Sequence, residues 1–292
     1  FNSIKYPITS EMIMGIKEIP VANIHFQNLN NKQKTVNMRK FHSEIKSNLY
    51  KKFINQNDSI LDLACGKGQD IKKFIDCNPS LVLMLDYDNN ALFEAHDSAV
   101  IRFKNIEKSY SKKFNFKFGL QDISKNINSK MKDLKLNNFK YNIITCNFAV
   151  QFILESSVKF NNFIKNVSNY LENNGKLILT HFNSKKIFEN LKNKKEMIIK
   201  DSDNNQIFKI CRLYNNQKIL KYGQKISVDI NSIGCHDEYL VNFNNLVDNF
   251  KKHNIYLIEN KNFSEISSKI VLNDYEKKFS YLNMYSIFEK KD

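Results

Sequence analysis

The residues best placed to do chemistry are Asp62-Leu63-Ala64-Cys65-Gly66-Lys67-Gly68-Gln69-Asp70, directly behind the apolar pair Ile60-Leu61. An apolar strand that ends in an acid and opens into a loop of small residues lets backbone come close to a ligand. A second apolar run, Leu81 to Leu85, ends on Asp86, about twenty residues past the loop. An acid there can accept hydrogen bonds from ribose hydroxyls. The pairing points to an enzyme that uses a nucleoside-containing cofactor.

Three ligand classes compete for such a loop. An NTP-binding loop needs four residues between its first glycine and Gly-Lys-Ser/Thr, and that spacing is absent. A dinucleotide fingerprint wants Gly-x-Gly-x-x-Gly, which Ala64 through Gln69 does not supply. What remains is acid-x-Gly-x-Gly-x-Gly with Ala64 in place of the first glycine, the first motif of S-adenosylmethionine (SAM)-dependent methyltransferases. SAM carries no phosphate, so its loop needs backbone proximity more than an anion hole. Alone, the loop could also be a strand-turn-helix connection that binds nothing.

The elements around the loop follow from periodicity. Phe41, Ile45, Leu49 and Phe53 recur every four residues and predict an amphipathic helix from Asn37, with Arg39, Lys40, Lys46 and Lys51 on other faces. Strands are expected at 60–63, 81–85, 114–118, 141–146 and 176–180, and helices over 71–77, 89–100 and 158–171. Asn173-Asn174-Gly175 is a helix stop. Strands separated by helices predict a parallel α/β sheet. Further on, 207–213 and 225–230 read as strands, 242–252 as helix and 281–288 as a last strand. The Asn-rich tracts 126–138 and 192–206 read as exposed loops.

Composition bounds the function. The chain has 292 residues, is 42% hydrophobic and 26% charged, and carries a net charge of +15. Its length supports one large domain or two small ones. Excess positive charge attracts polyanions, so RNA or DNA is the natural partner, although Lys and Asn also abound in chains from AT-rich coding. Cys65, Cys77, Cys146, Cys211 and Cys235 form no Cys-x-x-Cys pair, which argues against zinc. With no signal sequence, they suggest a reducing, cytoplasmic setting (host cytoplasm or virion, if viral). No apolar run approaches the ~18 residues of a membrane span. Residues 1–36, with two of the three prolines, read as an N-terminal arm, and 37–292 as the catalytic domain. The chain opens on Phe1 rather than Met and reads as a fragment of a larger polypeptide.

Taken together, the motifs resemble the mRNA cap (guanine-N7) methyltransferases, most closely the capping-enzyme domains of large DNA viruses. Met38-Arg39-Lys40-Phe41-His42-Ser43-Glu44-Ile45-Lys46 is similar to the family's Arg-x-Phe-x-x-x-x-Lys helix, and Asp62–Asp70 to its Asp-Leu-Gly-Cys-Gly-Lys-Gly-Gly-Asp. Cys146-Asn147-Phe148-Ala149-Val150-Gln151-Phe152, with Glu155-Ser156, is similar to its Cys-Gln-Phe-x-x-His-Tyr-x-x-Glu-Ser. Glu238-Tyr239-Leu240-Val241 matches its Glu-Phe-Leu-Val.

The resemblance implies a class I methyltransferase fold: a mostly parallel seven-stranded sheet with an antiparallel C-terminal strand, and cap-binding elements within 181–292. It implies that Lys46 approaches the methionyl carboxylate of SAM, that Asp62, Ala64 and Gly66 line the cofactor, that Asp86 binds its ribose and Asp122 its adenine, and that Phe152 flanks it. Asn147 and Phe148 would sit beside the sulfonium and the cap. Lys67 and Lys73 would face the cap phosphates, and Gln151 the guanine. Glu238 would accept from the guanine N1–H and amino group, and Tyr281 or Tyr285 would complete the pocket from one face of the last strand. Gln151 and Phe152 replace the family's His-Tyr, Asn147 replaces a Gln, and Ala64 replaces a glycine, tolerable if its φ is negative.

Transfer of methyl from a sulfonium to guanine N7 needs no general base, since that nitrogen carries no proton. Alignment and electrostatics carry such a reaction, and no metal is required. Taken singly, His181 and His236 read as structural and Glu238 as a possible helix cap. Two alternatives stay open: methylation of another RNA site or small molecule, and a non-catalytic RNA-binding or stimulatory subunit with a methyltransferase fold. Expected partners are capped RNA, other domains of a larger capping enzyme and a possible stimulatory subunit.

Overall fold

The computed structural model describes residues 32–231 and 233–292. Helix α1 (Val36–Phe53) leads into β1 (Ser59–Leu63), α2 (Ile71–Asp76), β2 (Leu81–Asp86), α3 (Ala99–Glu107), β3 (Phe116–Leu120) and α4 (Asn128–Asp133). Then come β4 (Tyr141–Asn147), α5 (Val150–Ile153), α6 (Ser157–Tyr170), β5 (Leu171–Phe182) and α7 (Ser184–Leu191). Four strands follow, β6 (Glu196–Lys200), β7 (Gln206–Arg212), β8 (Lys225–Ile230) and β9 (Gly234–Tyr239). The described chain closes with α8 (Phe243–Lys251), β10 (Ile255–Asn262), α9 (Asp274–Ser280) and β11 (Asn283–Lys290).

The main sheet has seven strands in the order β10-β11-β5-β4-β1-β2-β3. β1 pairs in parallel with β2 and β4, while β11 runs antiparallel to both β5 and β10. This is the doubly wound arrangement expected, with its reversed last strand. Alternation along the strands splits the core into two layers. Leu61, Leu83, Ile144 and Leu179 pack against Phe160, Phe163, Leu246 and Phe250 of α6 and α8. Ile60, Val82, Ile143 and Ile178 pack against Phe41, Ile45 and Leu49 of α1 and Phe74 of α2. β1 is an interior strand between β4 and β2 and is buried along its whole length, so the loop after it emerges where ligands bind in open α/β sheets.

Several expectations need correction. Residues 89–100 do not form one helix: a π-turn at Asn90–Glu94 ends at Ala95, and α3 starts only at Ala99, because Ala95 and Ser98 are extended. The tract 126–138 contains α4, anchored by buried Met131, and 192–206 contains β6. β6–β9 form a separate antiparallel sheet that packs on α7 and α9 through Ile187, Phe188, Phe208, Val228 and Phe279. Tyr281 lies past the end of α9, outside the last strand, so alternation relates it to nothing. Of the expected N-terminal arm, residues 1–31 lie outside the described residues. Residues 32–35 are a 3-10 turn running straight into α1, with Thr35 fully buried.

Candidate functional site

The loop after β1 is docked onto the end of β2. Cys65 N–H donates to the Leu85 carbonyl at 3.0 Å, and Gly66 N–H to Asp86 Oδ2 at 2.6 Å. Asp86 Oδ1 accepts from Asp88 N–H at 2.9 Å, so this buried acid organises the loop it was expected to face. Ala64 overturns its expectation. Its φ is +63°, in the left-handed region where a Cβ crowds the following carbonyl. The glycine that the family pattern carries there would be relaxed, whereas alanine is strained.

Beside the loop lies a buried polar cluster that joins four elements. Asp70 accepts from Lys46 Nζ at 2.7 Å, Lys73 Nζ at 2.8 Å and the Tyr50 hydroxyl at 3.2 Å. Asn147 Nδ2 donates to the Tyr50 hydroxyl at 2.8 Å, and Thr180 Oγ1 donates to Asn147 Oδ1 at 3.1 Å. The chain thus crosses from α1 to the ends of β4 and β5. Burial pushes Asp70 upward, but Lys46 and Lys73 outweigh it and hold its carboxyl below the ordinary range. Asp62 faces the same layer and accepts from Thr145 Oγ1 at 2.7 Å. Burial, reinforced by Asp70, pushes its carboxyl up to about 8. Two ammonium groups around one carboxylate leave a positive balance, the right sign for a carboxylate ligand. Lys73 was expected at the cap phosphates but is held here, with Lys46.

On the other side of Asp86, a hollow of about 370 Å³ is lined by Tyr87, Leu120, Gln121, Asp122 and Lys125. Gln121 N–H donates to the Asp86 carbonyl at 2.7 Å, and Asp122 Oδ1 accepts from Ser124 N–H and Oγ at 2.9 and 2.6 Å. These residues fit a nucleoside. The buried acid Asp86, an aromatic ring at Tyr87 and a fixed acid at Asp122 lie on one side of the small-residue loop, and the cationic cluster on the other. The described residues therefore suit SAM, whose positively charged sulfonium supplies an activated methyl group when bound.

A second group converges from α5 and β9, which pack against each other. Gln151 is buried, and its Oε1 has no partner among the described residues. Glu238 is buried, with Oε1 accepting from His236 Nε2 at 2.8 Å and Oε2 without a partner among the described residues. Glu238 is not a helix cap, because Asn242 fills that role for α8 by accepting from Asn245 N–H at 3.1 Å. The ring of Phe152 lies 6.1 Å from that of His236, so Phe152 faces this group. Lys67 Nζ is 2.5 Å from Asp97 Oδ1. Phe148, beside Asn147, has φ +52° and donates its N–H to the Thr180 carbonyl at 2.7 Å; its ring stacks on His42 at 5.3 Å. A bulky residue in that conformation stores strain, a feature that gathers at functional sites. The Tyr285 hydroxyl goes to Glu259 Oε1 at 2.5 Å, on the layer shared with α1. His181 is buried between the Phe182 carbonyl and Ser286 Oγ, a structural role.

Tyr50, Tyr87 and His42 were not singled out by sequence reasoning, and His236 was read there only as structural. For Tyr50 the signal was slight, a polar-tipped residue next to Leu49 on the buried stripe. For His236 it was clearer, since residues two apart in a strand share a face.

The family model for the mRNA (guanine-N(7))-methyltransferase domain matches residues 21–290. A mimivirus protein described as a probable mRNA-capping enzyme (Acanthamoeba polyphaga mimivirus) is 28% identical, over 100% of this chain and 28% of its own length. The mRNA cap guanine-N(7) methyltransferase of Cryptococcus neoformans is 27% identical, over 79% of this chain and 36% of that protein. That of Drosophila melanogaster is 23% identical, over 80% and 56%. The chain thus spans between 28% and 56% of these relatives' lengths. Among solved structures, a SAM-dependent methyltransferase from Clostridium acetobutylicum superposes with a TM-score of 0.55 at 17% identity, covering 87% of this chain and 92% of that one. One from Mesorhizobium loti gives 0.53 at 9% identity, covering 87% and 100%. These two show the fold, and the family match carries the identity. The chain belongs to the mRNA (guanine-N7)-methyltransferase domain family, whose methyl donor is S-adenosylmethionine.

Proposed function

We propose that this domain transfers a methyl group from SAM to N7 of the guanine cap of an mRNA. The observation that carries the reading is two buried oxygens, Glu238 Oε2 and Gln151 Oε1, that have no partner among the described residues and sit on elements that pack together. Buried acceptors without donors are costly unless a ligand supplies them. Guanine offers two adjacent donors, N1–H and the exocyclic amine, and adenine offers no N1–H.

The residues divide the work. Asp86 and Asp122 hold the nucleoside end of the cofactor, and the surplus charge of Lys46 and Lys73 holds its carboxylate. Asn147, tied to Tyr50 and Thr180, and strained Phe148 form a rigid wall between the two binding regions. Glu238 and Gln151 orient the guanine. Lys67 is the cation left for the cap phosphates, with Asp97 as its partner until RNA arrives. Because N7 carries no proton, no side chain needs to act as a base; alignment of two bound reactants supplies up to ~7–11 kcal/mol.

The test is methyl transfer from labelled SAM to GpppA- and m7GpppA-capped RNA. Label on the unmethylated cap alone, lost in Glu238→Ala, supports N7 specificity. Equal labelling of both caps moves the target to another RNA site. SAM binding without transfer to either would refute catalysis by this chain alone and favour a stimulatory subunit. The mimivirus relative is an mRNA-capping enzyme by name and much longer than this chain, which supports further capping domains as partners. Among the described residues no helix is long and apolar enough to cross a membrane.

A further inference from the structure

Glu238 is held in a way that guanine recognition alone does not demand. On β9, His236 and Glu238 are two residues apart, share a face, and lie opposite buried Val228 and Ile226 of β8. His236 Nε2 meets Glu238 Oε1 at 2.8 Å, while Nδ1 faces the Gly234 carbonyl at 3.4 Å. Both ring nitrogens look at acceptors, and only the doubly protonated imidazolium donates to both. Burial would push this ring down, but the Glu238 carboxylate outweighs it and holds the ring above its ordinary value. Asp229 of β8 adds in the same direction. Lys225 and Asp237 pair with each other at 3.0 Å, their side chains largely exposed. α5 contributes Gln151 and Phe152, neither of which titrates.

We infer that His236 is a positioning residue for cap specificity: it fixes Glu238 Oε1 so that Oε2, together with Gln151 Oε1, is presented to the donor edge of guanine. The inference rests on the cap-methyltransferase reading. It also accounts for a departure noted in the sequence. The imidazole that the resemblance places at position 151 is replaced by glutamine, and an imidazole reaches the same group from β9 instead. The imidazolium compensates the carboxylate locally, so the pair can stay buried before a ligand arrives.

The experiment is calorimetric binding of the cap dinucleotides GpppA and IpppA, the second lacking the exocyclic amine, across the neutral and mildly alkaline range. Wild type, His236→Ala and His236→Gln are compared, with SAM affinity measured in parallel. Wild-type affinity for GpppA falls as pH rises through the His236 transition. His236→Ala binds about tenfold more weakly below that transition, equivalent to one charge-assisted hydrogen bond, and separates GpppA from IpppA less well. His236→Gln, which donates one N–H at any pH, recovers part of the affinity with a flat profile. Guanine's own ionisation is common to all three proteins and cancels. A His236→Gln profile that superposes on wild type overturns the inference. So does a loss of SAM affinity in step with cap affinity, which marks a merely structural residue. If wild type binds and methylates GpppA while the profiles coincide, only the role of His236 falls. If wild type binds no GpppA, the cap reading falls with it. Should His236→Ala fail to fold, His236→Gln carries the test.

Discussion

Replacing Ala64 by glycine should make this protein more stable. At φ +63° the methyl group sits in a conformation that costs an L-residue about 1–2 kcal/mol. Glycine removes that cost but gives the unfolded chain more freedom, returning about 0.5–1 kcal/mol. The net gain lies between about 0 and 1.5 kcal/mol, which raises the melting temperature of a domain this size by up to about 3–4 °C. Differential scanning calorimetry without cofactor reads the change. SAM affinity stays within about twofold, because the backbone path of the loop, clamped by Asp86 on Gly66, is unchanged. Gly68→Ala is the matched opposite. Its φ is +67° and a Cβ there would lie 2.5 Å from Ile71 Cδ1, so strain and overpacking together cost about 2 kcal/mol or more. An Ala64→Gly protein that melts below wild type would refute the assignment of strain to this position.

Three further outcomes are expected. Tyr50→Phe strips Asn147 Nδ2 and Asp70 of a fully buried partner, lowering stability by about 1–3 kcal/mol in urea melts. KM for SAM rises in that variant, and an unchanged urea midpoint would count against the cluster as a unit. Asp62, raised by burial to about 8, favours its protonated form in the folded state. Its contribution is therefore present in acid, below the ordinary carboxylate value, and lost as pH rises toward 8. Asp62→Asn keeps an acceptor for Thr145, so its stability relative to wild type should improve steadily over that interval; a pH-independent difference would contradict the raised value. Finally, Lys46→Ala and Lys73→Ala should each weaken SAM more than cap binding, since both ammonium groups meet at Asp70. A Lys73 variant impaired only in cap affinity would return that residue to the phosphate path.

What the chain alone determines is local and periodic. The four-residue spacing of Phe41, Ile45 and Leu49 forces α1 onto the sheet, and Ile60 to Leu63 must be a buried strand that ends in a loop of small residues. Asp62, Asp86 and Asp122 could be placed because strand ends in a parallel sheet fall on one edge. The small β6–β9 sheet, the left-handed backbone at Ala64 and Phe148, and the partners of each charged group could not. Lys73 and Lys67 are two lysines among many until folding brings Asp70 and Asp97 to them. Tyr50 lies 20 residues from Asp70 and 97 from Asn147, yet joins them through one hydroxyl. Among the described residues, the unpartnered oxygens of Glu238 and Gln151 share one region only because β9 packs on α5. Periodicity records which side of an element is buried; only the closure of distant segments decides which polar atoms find partners there, and which are left for a ligand.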